Sequence, residues 1–457
     1  MTRLRAVQPS FFDNDAAGTV PPNVLAEDAA PLRVVDLFAG AGGLSEGFRQ
    51  EGFVVVAGSD IDPDACATYA LNYPAAETIC GDIRQPDIRE RIIAAGRGAD
   101  VVVGGPPCQA FSQVRNHSRI IDDPRNSLYR EFVKAVDEIA PTAFVMENVP
   151  GMAQMGVLQQ VKEDLELGGA YTVDPRVVDA ADFGVPQARK RIVFLGWRRE
   201  LNPAPILLKG TAVTSYLSLA RLAKGNYAIE GRGDKASNLL RVLEDPDDIA
   251  VVSTAQAISD LSGLQTGRRN DETVLRDLPE PESAYQRLMR KELGEALHNV
   301  SVPRINEDTV TRLQGIPPGG NHRDLEEALT ARYISGQKWG PSTDSGKLGR
   351  AHFYAYRRLH PEIWAWTLNT KADCAYHYQH ERALSVREFA RLQSFPDHFV
   401  FTADPRRGKI PGRIDGGPAH SRYRQVGNAV PPLLAAAIAR EVAVLVRSTA
   451  SKEPSTQ

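Results

Sequence analysis

Val34-Val35-Asp36-Leu37-Phe38-Ala39-Gly40-Ala41-Gly42-Gly43 decides how this chain of 457 residues is read. Its first half is a short apolar run suited to a buried strand. Its second half is a glycine-rich turn that opens a helix. Glycines let backbone approach a ligand closely, and a helix N-terminus favours an anionic group. The order is not G-x-G-x-x-G, so a dinucleotide is not the first choice. The carboxylate of a methionine moiety would satisfy the same helix terminus. Asp60 follows the next apolar run, Phe53 to Ala57, and lies about twenty residues after Gly40. An acid at that spacing commonly binds ribose hydroxyls, which points to an adenosine cofactor.

Outward from this stretch, short apolar runs alternate with helical patterns from Leu32 to Gly196. Val101 to Val103, Ala143 to Met146 and Ile192 to Leu195 read as further strands. A helix opens at Asp62-Pro63, where Asp62 can cap and Pro63 suits the first helical position. Asn126 to Ile139 and Val157 to Leu167 read as helices. This alternation predicts an α/β fold with a mostly parallel sheet covered on both faces. From about Asn202 to Gly349 the pattern weakens, and glycine, proline and charge recur. A second, smaller and irregular domain is expected there. Order returns where Ser385 and Glu388 form a capping box opening a helix over Val386 to Gln393. A last apolar helix, Pro432 to Val446, is expected to pack on the first domain and make it discontinuous. The expected organisation is therefore a mobile tail over 1–30, a catalytic domain over 31–200 completed by 418–447, a small domain over 201–417, and a tail over 448–457.

Hydrophobic content of 42% and charged content of 24% are ordinary for a soluble globular protein. No run approaches the roughly eighteen apolar residues that span a bilayer, and Met1 to Ala30 lacks a signal-peptide pattern. A cytoplasmic protein without a membrane partner is the expectation. Cys66, Cys80, Cys108 and Cys374 form no C-x-x-C pair, so neither a metal site nor a disulfide framework is expected. Cys66, Cys80 and Cys374 read as buried fillers. A net charge of −3 excludes a wholesale polyanion binder but leaves room for a local basic face. Two candidates are Arg189-Lys190-Arg191 with Arg198-Arg199, and the set Arg406, Arg407, Lys409, Arg413, Arg422 and Arg424.

The chemistry sits at two strand ends, where ligands bind in a parallel α/β sheet. Gly104-Gly105-Pro106-Pro107-Cys108-Gln109 places a thiol after one run, and Glu147-Asn148-Val149 places an acid after another. Arg115, Arg119 and Arg125 follow Cys108 and could favour a thiolate. An acid enclosed by apolar residues is held protonated more of the time and can donate to a base ring. These segments resemble motifs of DNA cytosine-5 methyltransferases, whose target, carbon 5 of cytosine, is a poor nucleophile until a thiolate adds to carbon 6. Proton donation at ring N3 lowers the barrier to that addition. A thiolate, an acid and a sulfonium methyl donor together suit this reaction, on a base flipped out of the duplex.

Eight motifs, in order, resemble those of bacterial DNA cytosine-5 methyltransferases over roughly residues 33–446. The resemblance implies a Rossmann-like methyltransferase domain that uses S-adenosylmethionine, plus a target recognition domain within about 200–380. Asp36 to Gly43 matches the methyl-donor loop, and Ser59-Asp60-Ile61-Asp62 the ribose and adenine segment, which usually has Glu at the position of Asp60. Gly81-Asp82-Ile83 matches the adenine contact, Pro107-Cys108-Gln109 the nucleophile, and Glu147-Asn148-Val149 the N3 acid. Gln187-Ala188-Arg189-Lys190-Arg191, Arg387 to Pro396 and Gln425 to Pro432 match the remaining three. By this resemblance Phe38, Ala39, Gly40, Gly42, Gly43, Asp60, Ile61, Asp82, Ile83, Pro106, Asn428 and Ala429 hold the cofactor. Cys108, Glu147, Arg189 and Arg191 are catalytic, with Arg189 on the flipped cytosine and Arg191 bracing Glu147 or the loop. Gln109, Ser112, Arg115 and Gln187 contact DNA, and Gln109 to Arg125 closes over the base.

Double-stranded DNA is the implied partner. A cognate restriction endonuclease would act separately, and a monomer is the family-based expectation. Two alternatives stand beside this reading: the transfer-RNA branch of the same fold, and a catalytically silent nucleic-acid-binding regulator. The long interdomain region favours DNA, because reading base edges requires surface. The regulator predicts loss of Cys108, Glu147 or the glycine loop, and all are present.

Overall fold

A computed structural model describes residues 30–107, 127–154, 158–201, 208, 210, 251–264, 266, 271–326, 356–404 and 421–450. Residues 1–29 of the expected tail over 1–30, the segment carrying Cys108 to Arg125, and the basic residues Arg406 to Arg413 lie outside them.

Seven strands build one sheet: β1 (Arg33–Leu37), β2 (Val54–Asp60), β3 (Glu77–Cys80), β4 (Val101–Gly104), β5 (Ala143–Asn148), β6 (Tyr171–Asp179) and β7 (Lys190–Arg198). Their order is β3-β2-β1-β4-β5-β7-β6. The first five are parallel; β7 runs antiparallel to β5, and β6 antiparallel to β7. The period-two alternation sorts side chains cleanly between the faces. Val34, Val101, Val103, Val145 and Val193 enter one core, with Leu44 and Phe48. Val35, Val102, Phe144, Met146 and Phe194 enter the other, with Ile88, Ile92 and Phe132. Both faces are covered, as a sheet of continuous apolar runs requires.

The connecting helices are α1 (Gly43–Gln50), α2 (Pro63–Asn72), α3 (Pro86–Gly96), α4 (Ser127–Ile139), α5 (Gly151–Gln154) and α6 (Leu158–Leu165). Asp62 caps α2 by accepting from the Asp64 N–H, with Pro63 at the first position, as expected. Strand β6 escapes sequence reading because Asp174, Pro175 and Arg176 interrupt it. An edge strand tolerates that proline.

The second region is built from short pieces: α7 (Thr254–Ile258), β8 (Glu272–Val274), α8 (Ala284–Arg290), β9 (Ala296–His298), α9 (Glu307–Gln314) and α10 (Val386–Leu392). The capping box of Ser385 and Glu388 opens α10. Buried charge fastens this helix. Arg391 meets Asp397 through two contacts of 2.6 Å and also reaches Asp260. Arg387 donates to the carbonyls of His298, Pro396 and Phe399.

The chain closes with α11 (Ser421–Asn428) and α12 (Pro432–Ala450), the latter running past the expected start of a tail at Ser448. The stretch 421–448 is long and apolar enough to cross a bilayer, but 67% of its apolar window is buried in protein. It serves the core: a Cβ on Gly47 of α1 would lie 2.4 Å from the Ala435 Cβ. Cys66 and Cys374 are buried as expected, whereas Cys80, at the end of β3, is exposed.

Candidate active site

Five adjacent strands, β3, β2, β1, β4 and β5, end on one edge of the sheet and carry the candidate residues there. At β1 the loop turns through three left-handed residues, Phe38 (φ 56°), Gly40 (φ 55°) and Gly42 (φ 100°). Only glycine adopts such angles without steric cost. The glycines differ in what they face. A Cβ on Gly40 would meet nothing within 4 Å, so this residue borders open space. A Cβ on Gly42 would lie 2.5 Å from the Tyr73 ring, and one on Gly43 2.2 Å from the Val430 carbonyl oxygen. Of the three, Gly40 is the one open to a ligand; Gly42 and Gly43 instead admit other parts of the protein.

The Gly40 N–H donates to Asp60 Oδ2 and the Asp62 N–H to Asp60 Oδ1, each at 2.8 Å. Burial pushes the Asp60 carboxyl up, opposed by these backbone donors. Ile61 beside it is 63% exposed. Asp82 is held by Arg84, whose hydrogen bonds draw its carboxyl below the usual range. Ile83 is buried. The turn carrying exposed Asn428 and half-buried Ala429 lies against the loop, where the Gly43 contact joins them.

One buried acid beneath the loop was not singled out from sequence. Asp36 accepts from the Ser45 N–H and hydroxyl through Oδ2, and burial pushes its carboxyl up to about 7. Its place inside an apolar run was the available signal.

At β4 and β5 the expected acid and thiol segments converge. Pro106 is buried, and the Asn148 side-chain amide donates to its carbonyl at 3.0 Å. The Asn148 Oδ1 accepts in turn from the Val149 N–H. Asn148 thus ties the end of β5 to the strand exit that leads into Cys108. Glu147 overlies Gly105: a Cβ there would be 3.2 Å from Glu147 Oε2. Its other oxygen meets the Arg191 guanidinium at 2.5 Å. Glu147 therefore faces a cation at one oxygen and Gly105 at the other.

Arg191 sits as expected, against Glu147. Arg189 departs from expectation. It is 2% exposed, and its guanidinium donates to the carbonyls of Leu368 and Gly427. Burial drives it well below its usual range, with Arg191 adding repulsion. Its side chain joins β7 to α11 in this geometry, while Arg191 stands beside the acid. Gln187 also departs. It is fully buried, with its amide donating to Leu392 and Gln393 and accepting from the Leu368 N–H. Both polar ends of its side chain are thus engaged within the protein. Cys108, Gln109, Ser112 and Arg115 lie outside the described residues. Of the second candidate basic face, the two described members are paired: Arg422 meets Asp271, and Arg424 meets Asp62.

A family model described as C-5 cytosine-specific DNA methylase matches residues 32–443. Type II methyltransferase M.XorII of Xanthomonas oryzae pv. oryzae is 31% identical, over 92% of this chain and 86% of its own. Type II methyltransferase M.AgeI of Thalassovita gelatinovora is also 31% identical, over 91% of this chain and 100% of its own. A solved prophage-encoded protein of E. coli, described as a DNA modification methyltransferase, shares the fold. Its TM-score is 0.60 at 23% identity, over 91% of this chain and 99% of that one.

Proposed function

This chain belongs to the C-5 cytosine-specific DNA methylase family, and from that premise we propose that it moves the methyl group of S-adenosylmethionine to carbon 5 of a flipped cytosine in a specific duplex sequence. The activity is DNA cytosine-5 methylation, which requires a methyl donor. The observation that carries the mechanism is the junction of β4 and β5. There Asn148 anchors the Pro106 carbonyl two residues before Cys108, and Glu147 stands over Gly105 beside Arg191.

The residues at the strand ends fit S-adenosylmethionine. Gly40 borders open space, Asp60 keeps lone pairs for ribose hydroxyls, and Ile61 offers an uncovered apolar face. When bound, the donor supplies an electrophilic methyl group on a sulfonium. The open side of the loop at Gly40 would receive the donor. Cys108 adds as thiolate to carbon 6 and makes carbon 5 nucleophilic; carbon 5 takes the methyl as the thioether departs, then loses its proton to a base while the C6–sulfur bond breaks and Cys108 leaves as thiolate. Glu147 holds a proton at N3, and Arg191 keeps the acid in place. A separately acting restriction endonuclease is the proposed biological partner, in keeping with the Type II names of the relatives.

The test uses purified chain, methyl-labelled S-adenosylmethionine, and two acceptors: DNA lacking cytosine methylation and bulk transfer RNA. The expected product is labelled 5-methyldeoxycytidine in DNA, with none from Cys108→Ser. Label in transfer RNA alone, or undiminished product from Cys108→Ser, would contradict the proposal.

A further inference from the structure

We propose that Tyr73 is a positioning residue for methyl-donor binding, setting the hinge between the glycine loop and α1. The proposal rests on the reading that Phe38 to Gly43 binds S-adenosylmethionine.

Gly42 is the N-cap of α1, with φ 100° and ψ 33°, and no side-chain cap supports it. Its carbonyl instead carries two hydrogen bonds. One comes from the Glu46 N–H at 2.9 Å, the first turn of the helix. The other comes from the Tyr73 hydroxyl at 2.8 Å, reaching across from the end of α2. The Gly42 N–H closes the loop by donating to the Ala39 carbonyl at 2.9 Å. The Tyr73 hydroxyl therefore holds the one peptide at which left-handed loop becomes right-handed helix. Its ring fills the space where a Gly42 side chain would stand.

Tyr73 is itself firmly held. It is 6% exposed, its ring lies 4.6 Å from that of Tyr69, and Phe399 of the second region approaches its edge at 6.1 Å. Tyr69 continues the support, sharing a 2.8 Å hydrogen bond with the Ser45 hydroxyl, which donates to Asp36. The hydroxyl's second neighbour, Glu46 Oε2, is more distant at 3.5 Å, so the Gly42 carbonyl receives its proton. A hydroxyl at the bottom of the loop touches no ligand. It narrows the angles that Gly40 and Gly42 sample and so lowers the entropy cost of binding on the open side.

Tyr73→Phe removes the hydroxyl and keeps the ring. Tyr171→Phe is the matched control, because its buried hydroxyl also donates to a carbonyl, Pro141 at 2.8 Å, but on β6 at the far edge. In Tyr73→Phe, the KM and Kd for S-adenosylmethionine should rise roughly three- to tenfold, the loss of one neutral hydrogen bond. Turnover at saturating donor and the KM for DNA should stay within about twofold. Tyr171→Phe should leave donor binding unchanged. Wild-type donor affinity in Tyr73→Phe would overturn the proposal, as would a fall in saturated turnover with unchanged donor KM. Failure of the wild-type chain to bind S-adenosylmethionine would instead defeat the underlying reading of the loop.

Discussion

Glu388 in the second region and Glu147 at the strand edge both stand beside an arginine, and they differ in how much of each carboxylate is occupied. Glu388 is fully buried. Arg382 reaches both of its oxygens at 2.8 Å, the Ser385 N–H and hydroxyl donate to Oε2, and His377 lies 3.6 Å away. Burial works to raise its pKa; Arg382 and Ser385 outweigh it and hold the carboxyl below the usual range. Glu147 has Arg191 on Oε1 and, among the described residues, no hydrogen bond to Oε2. A satisfied carboxylate fastens a helix. A carboxylate with one oxygen held and the other free is oriented and still able to act. Unfilled capacity among the described residues, more than charge or burial, distinguishes Glu147, the proposed proton donor.

The largest effect expected from this contrast is on turnover. Glu147→Gln should lower kcat by roughly 10²–10⁴, the range for a lost general acid, while thermal melting stays close to wild type. Near-wild-type turnover would remove Glu147 from the chemistry. Glu388→Gln should do the reverse. Breaking a buried pair costs roughly 3–5 kcal/mol, so denaturant unfolding should shift strongly. Below its melting range the variant should retain turnover per folded molecule. If Glu388→Gln melted normally and lost activity, the contrast would collapse.

A smaller effect follows from His377. Burial leads the causes that hold it at about 3, against an ordinary value of 6.5. As pH falls from 6.5 towards 3, the unfolded chain gains a proton that the folded chain does not. Stability should therefore fall across that window, by at most about 1.4 kcal/mol per pH unit. His377→Asn should flatten this slope in denaturant titrations at several pH values. Glu388 adds its own loss lower down. Its depressed pKa contributes stability above the usual glutamate range, lost as pH falls through the folded value. An unchanged slope in His377→Asn would show that His377 is accessible to protons in the folded state.

Much of this was legible in advance. The apolar runs of β1, β4 and β5 and the glycine loop announce the strand edge, because buried parallel strands read as continuous apolar segments. Asp62-Pro63 and Ser385 with Glu388 announce their helices through local hydrogen bonds, which need no tertiary knowledge. What was illegible depends on partners remote in sequence. Gly42 and Gly43 look alike in the sequence, yet one admits Tyr73 and the other Val430. Arg189, just before β7, and Arg191, within it, belong to one basic triplet in the sequence. The carbonyls of Leu368 and Gly427 claim the first and leave the second for Glu147. Gln187 reads as a polar surface residue and is buried by its amide contacts to α10. Asn148 belonged to a recognised motif, but its task, holding the Pro106 carbonyl, appears only when β4 and β5 are paired.

Bisulfite sequencing tests the central claim most directly, on DNA from a host without cytosine methylation that expresses this chain. Protected cytosines should recur in one short sequence context with the wild-type chain and vanish with Cys108→Ser. Unprotected DNA from a folded, donor-binding wild-type chain, or protection that survives Cys108→Ser, would contradict the account.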